Sequence, residues 1–265
     1  GKLGSGAFVL GSAVVTIATL TAPAAKADVV CGTGAAAINS ADIAIGDGAL
    51  ANQTNAIAIG RAANVSGGDS IVIGHNAVSN QGVAIGIGAS VMAYGDNSIA
   101  MGQRARTHAQ GAIALGWESN ASGSNALAFG VGSKSNGMGS VAMGVTSYAK
   151  APLAIATGAS ANATGVGSIA QGALANAIGN YSIAQGLQAN ASGINSIAQG
   201  YYANATGFNA TALGAYADAS GFNSTALGAF AKAKGLNSIS QGLFANATGQ
   251  SSVAIGDSST ALSIS

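Results

Sequence analysis

A fourteen-residue phrase repeats almost without drift from Gly158 to Gly256, and it decides what a chain like this can fold into. Its clearest copy, GALANAIGNYSIAQG, runs from Gly172 to Gly186, followed by GLQANASGINSIAQG, GYYANATGFNATALG and GAYADASGFNSTALG. The template reads G-x-x-A-x-A-x-G-x-x-S-x-A-x, closed by the next Gly. Closing glycines stand at 158, 172, 186, 200, 214, 228, 242 and 256. A fixed period of this kind makes a chain quasi-one-dimensional, so each repeat is one unit stacked on its neighbours.

Within the phrase, side chains alternate with period two. Ala175 and Ala177 point one way, while Leu174, Asn176 and Ile178 point the other. The run Tyr181-Ser182-Ile183-Ala184-Gln185 alternates again after Gly179. Alternation over five or six residues, bounded by Gly, is a strand signal. Alanine favours helices over strands, but no helix survives a Gly every seven residues. The expected fold class is therefore all-β, a parallel solenoid whose coils each hold two short strands and two tight turns.

So thin a roll accepts only small side chains inside, and Ala189, Ala191, Ser196 and Ala198 fit. Ile183, Gln185, Ile197, Gln199, Leu213 and Leu227 then turn outward, as do Ile43, Ile45, Ile57, Ile59, Val253 and Ile255. An exposed apolar strip of this length marks an association surface. Association with copies of the same chain is expected, with these residues as the candidate interface.

The phrases Asn195-Ser196-Ile197-Ala198-Gln199-Gly200, Asn97-Ser98-Ile99-Ala100-Met101-Gly102 and Ser251-Ser252-Val253-Ala254-Ile255-Gly256 resemble the N-S-V-A-I-G phrase of trimeric autotransporter adhesin heads, the YadA-like family. The A-x-A-x-G that follows matches too, and the resemblance spans about Ala41 to Gly256. It implies a left-handed parallel β-roll assembled as a homotrimer. It implies a non-enzymatic head on the bacterial cell surface, anchored in the outer membrane in the full-length protein, that binds host matrix proteins such as collagen, fibronectin or laminin. Gln at 171, 185, 199 and 241 departs from the family's aliphatic. If that column faces the trimer axis, it forms a polar ladder there.

Residues 1–27 read differently. Lys2, the apolar runs Ala7-Phe8-Val9-Leu10 and Val14-Val15-Thr16-Ile17-Ala18, and Ala25-Lys26-Ala27 before Asp28 resemble a secretory signal peptide, truncated at its start and cleaved between Ala27 and Asp28. A lead-in at 28–40 follows, then head repeats over 41–256 and a further repeat begun at 257–265. Counted by glycines, the coil ending at Gly86 is two residues short and the one ending at Gly102 two long. Pro152 falls one residue after the expected mid-repeat Gly and marks a turn. No heptad stalk or membrane-barrel strands follow, so the chain reads as a fragment whose only membrane contact would be an anchor it lacks.

Composition bounds the chemistry. Charged residues are 6 % and net charge +1, far from the quarter charged of an ordinary domain and without a field for nucleic acid. The single Cys31 excludes an intrachain disulfide. Preceded by Asp28-Val29-Val30, it is a poor lipoprotein cysteine and reads as an incidental thiol. His75 and His108 lie in no metal-ligand spacing and read as isolated turn or surface residues. No serine assembles into a nucleophile elbow with partners, and no Gly-rich phrase has the form of a phosphate loop. No catalytic residue, cofactor or metal is expected.

Two apolar columns stand out. Tyr202, Tyr216, Phe230 and Phe244 share one repeat position and, by strand parity with Asn204 and Asp218, belong on the outer face. Ile194, Phe208, Phe222 and Leu236 share another. They lock coil on coil, pack between subunits, or form a ridge for a protein ligand. The Asn column at 162, 176, 190, 204 and 246 reads as a polar ladder along stacked turns. Triplets such as Asn162-Ala163-Thr164 match glycosylation acceptors but are discounted. An ice-binding or purely structural solenoid is the alternative function, although ice binding wants a regular Thr array. A solenoid acyltransferase would need coils of about eighteen residues and a catalytic His.

Overall fold

The structure is a computed structural model that describes residues 8–10, 13–15, 28–39 and 41–262. It is built of strands and turns, and among the described residues no helix is long and apolar enough to cross a membrane. The chain divides into two units, residues 1–129 and 130–265, each a parallel β-solenoid.

One coil shows how the phrase folds. Ile183–Gln185 is a long strand of three residues, and Asn190–Ala191 a short strand of two. The strands are shorter than the sequence alternation because turns take both ends. In each turn the first residue's carbonyl accepts from the fourth residue's N–H, Gly186 from Ala189 and Gly193 from Ser196, both at 3.3 Å. The third residue of each, Gln188 and Asn195, has positive φ, 56° and 55°. Remaining backbone groups bond to the coil fourteen residues away, as when Gly200 N–H donates to Gln185 O at 2.8 Å. Pairing is parallel and in register: Ile183 faces Ile197, Ala184 faces Ala198, and Asn190 faces Asn204. This accounts for the backbone's donors and acceptors without any long strand.

The two glycines of the phrase have different causes. Gly186 has φ of +133°, and a Cβ there would lie 2.5 Å from the Gly200 carbonyl oxygen of the next coil. Gly193 lies outside the left-handed region, yet a Cβ on it would overlap the Gly207 carbonyl. One glycine serves conformation and space, the other space alone.

The core is as small as expected. In the second unit it is a double row of fully buried alanines, including Ala184, Ala189, Ala191 and Ala198, with Ser182 and Ser196 beside them. In the first unit Val65, Val72 and Val91 are also fully buried. Gly86 makes room for two of them: a Cβ there would stand 3.1 Å from Val91 Cγ1 and 3.7 Å from Val72 Cγ2. This corrects the expectation of a short coil and a long one. Gly86 occupies the alanine place of the strand Ile85–Ile87, level with Val72, and the closing glycines 74, 88 and 102 keep the period of fourteen.

Stacking also reaches further towards the start than Ala41. Val29–Cys31 pairs with Ile43–Ile45, and Ala36–Ala37 with Leu50–Ala51, in the same register as later coils. Asp42, in the serine place, is fully buried and accepts from Asn39 N–H at 2.8 Å and Ala56 N–H at 3.0 Å. The leader expected at 1–27, including Ala27, lies outside the described residues apart from Phe8–Leu10 and Ala13–Val15. Those two strands pair antiparallel, and Val15 pairs with Cys31. Pro152 sits in a turn as expected and accepts from Gly167 N–H at 3.0 Å. At the other end Thr260–Ala261 still pairs with Asn246–Ala247.

Candidate interaction surfaces

Each coil offers two outward faces and two turn edges, and their chemistry differs. The long strand turns its first and third residues outward. In the first unit these positions are apolar coil after coil, as in Ile57, Ile59, Ile71, Ile73, Ile99 and Met101. Ile73 keeps 38 % of its surface, Met101 40 % and Phe129 50 %. Adjacent apolar side chains left this open form a patch of the kind that other protein covers. In the second unit the candidate interface residues occupy the same places. Ile183, Ile197, Leu213 and Leu227 are half-buried, and Gln185 and Gln199 are exposed. Gln185 Nε2 donates to Gln171 Oε1 at 3.0 Å, so the first rung of the glutamine column is a bond within one chain.

In the second unit the short strand presents a largely polar face, whereas first-unit coils place Leu50, Val78 and Met92 there. Asn162, Asn176, Asn190, Asn204 and Asn246 lie on short strands, not on turns as expected from the sequence. Asn162 donates to Asn176 at 2.8 Å, Asn190 to Asn204 at 2.8 Å, and Asn204 to Asp218 at 3.1 Å. Repeated amide bonds between level side chains are the usual reward of an in-register parallel stack.

The aromatic columns require a correction. Tyr202, Tyr216, Phe230 and Phe244 do not sit on a strand face. They are the third residues of the closing-glycine turns, with φ of 54°, 58°, 57° and 56°. The rings stack between coils, Tyr202 on Tyr216 at 5.4 Å, Tyr216 on Phe230 at 4.9 Å, and Phe230 on Phe244 at 4.9 Å. Left-handed backbone is unfavourable for bulky side chains, and the stack offsets that strain. Tyr201 lies edge-on to Tyr202 at 4.5 Å and to Tyr216 at 5.3 Å. Hydrogen bonding to the Tyr216 side chain, with a smaller contribution from desolvation, pushes the Tyr201 phenol above its ordinary range. On the mid-repeat turns, Phe208 stacks on Phe222 at 5.0 Å.

Sequence reasoning missed a second amide ladder. Asn195, Asn209, Asn223 and Asn237 take the positive-φ place of the mid-repeat turns and are linked at 3.1 Å. The signal was present, because asparagine is enriched in left-handed backbone. It also missed that His75 is bonded to Arg61 at 2.7 Å and that His108 lies edge-on to Tyr94 at 6.2 Å. Arg104 and Glu118 form an exposed ion pair at 2.9 Å between neighbouring coils. Among the described residues no cluster of His, Cys, Asp and Glu could hold a metal ion.

The family model of the YadA head domain repeat, two copies long, matches residues 37–63, 51–77, 93–119, 121–147, 163–189, 177–203, 191–217, 219–245 and 247–263. The chain belongs to the YadA head family. YadA heads are adhesin-type, non-enzymatic parts of surface-displayed autotransporters. Among solved structures, the chain is similar to the collagen-binding domain of Yersinia adhesin YadA. That similarity has 26 % identity and a TM-score of 0.39, covering 51 % of this chain and 67 % of the Yersinia one. No curated protein matches the chain.

Proposed function

We propose that this YadA-type head works as a left-handed homotrimeric roll on a bacterial cell surface, outside the outer membrane, attaching the cell to host matrix proteins such as collagen, fibronectin or laminin. The observation that carries this reading is the division of the coil's outward surface. The long-strand face carries Ile, Leu or Met coil after coil and needs cover, while the short-strand face of the second unit, with its asparagine ladder, is suited to water. Copies packed through the long strands would leave the short strands and the turn edges outermost. Affinity would then come from many weak, equivalent contacts, repeated along the coils and across the copies.

Binding of the wild-type chain to surfaces coated with collagen, fibronectin or laminin tests the reading. A variant held monomeric by Ile59→Lys and Ile99→Lys is the control. The wild type should bind at least one matrix protein, with an apparent affinity about a hundredfold or more above the monomer's, as multivalent attachment requires. Binding to none of the three, or equal binding by both forms, would contradict it.

A further inference from the structure

The long-strand face of the second unit carries a pattern that the first unit lacks. At the third position, Gln171, Gln185 and Gln199 are followed by Leu213, Leu227 and Gln241 in successive paired coils. At the first position, Ile169, Ile183 and Ile197 are followed by Thr211, Thr225 and Ile239. The two columns cross: a coil with Gln third has Ile first, and a coil with Leu third has Thr first. Each coil here therefore shows one polar and one apolar side chain, and the order along the stack does not repeat.

We propose that this crossed pattern fixes the axial register of self-association. Copies of this chain align parallel and without stagger, because only then does every coil meet its own like. The inference rests on the self-association reading above and adds the residues that specify it.

An amide carries two N–H donors and a carbonyl acceptor, so it is complementary to a second amide at the same height. The Gln185–Gln171 bond uses only part of that capacity. Sealed against an aliphatic side chain, the same amide would lose water without compensation. Staggering two copies by one coil would set Gln199 level with Leu213, and Leu227 level with Gln241. Reversing one copy about Gln199 would set Gln185 against Leu213, and Gln171 against Leu227. Both arrangements oppose amides to leucines, and the aligned parallel one does not. The first unit supplies no such polar pattern, since its first and third long-strand positions are apolar at each height from Ile57 and Ile59 to Leu127 and Phe129. A polar residue in an otherwise apolar seam is an established way to specify register, at some cost in stability.

The test uses the full chain and light scattering. In the first variant Gln171, Gln185, Gln199 and Gln241 become Ile, the residue Ile255 already places in this column. Wild type should show one assembled mass. The variant should keep its circular dichroism but spread to several larger masses, because staggered copies leave uncovered ends that add further copies. In the second variant Gln185→Glu and Gln199→Glu would bring carboxylates level. It should fall apart at about pH 8 and reassemble at about pH 4, where they are largely protonated. A wild-type mass from the Ile variant, or from the Glu variant at the higher pH, would overturn the inference while leaving self-association intact. A monomeric wild type would remove the reading beneath it. If the Ile variant does not fold, the Glu variant decides.

Discussion

Gly193 and Gly186 are interchangeable in the sequence pattern, but the structure separates them. Gly193 needs no left-handed backbone and is glycine only because the Gly207 carbonyl occupies the place of its Cβ. Gly193→Ala must push two coils apart and should cost about 3 kcal/mol, within the large-effect range of buried steric changes. A chemical or thermal melt followed by circular dichroism checks it, and a loss below about 0.5 kcal/mol would contradict the close approach. The core makes a similar argument in reverse. Ala198 faces Ala212 in register, as Val72 faces Gly86. Ala198→Val should therefore cost about 1–3 kcal/mol by overpacking, and adding Ala212→Gly should return part of the loss. At this scale the sequence shows that a position must be small. It hides why, because conformation and contact both select glycine. Val83 shows the limit most plainly, holding φ of 54° where neighbouring coils use asparagine or aspartate.

At the scale of the coil, period and parity were legible and turn geometry was not. Alternation placed Ala189, Ala191, Ser196 and Ala198 inside, as the structure has them. It failed at Tyr202, Tyr216, Phe230 and Phe244 because parity was carried past the end of a strand only two residues long. Gly86 was misread for a related reason: a glycine in an alanine place looks like punctuation when only glycines are counted. The aromatic turn column has a measurable energetic role. Phe230 stacks on both neighbours, and Phe230→Ala should cost about 1–3 kcal/mol, two stacking contacts of roughly 0.5–1.5 kcal/mol each. A double-mutant cycle with Tyr216→Ala should return a coupling of about 1 kcal/mol. Zero coupling would mean that the rings are merely neighbours, and the strain of four bulky residues at positive φ would need another cause.

For the whole molecule, repetition brings the same few interactions to every coil, so what differs between coils carries the individuality of the chain. Family membership and the stacked two-strand coil were readable from the phrase, the first from copies such as Asn195-Ser196-Ile197-Ala198-Gln199-Gly200 and the second from period-two runs bounded by glycine. The division of the surface was readable only in part: the apolar long-strand column was, but the asparagines expected on turns lie on the short strands of the second unit. Neither a single chain nor its sequence contains the partner that covers the long-strand face, and that partner is the central claim. The mass of the wild-type chain in solution, measured by light scattering over a range of concentrations, tests it most directly. Three times the chain mass of 25.0 kDa, stable on dilution, is the expected result. A folded monomer at all concentrations would contradict it, and would make the apolar long-strand face the surface through which some other protein is bound.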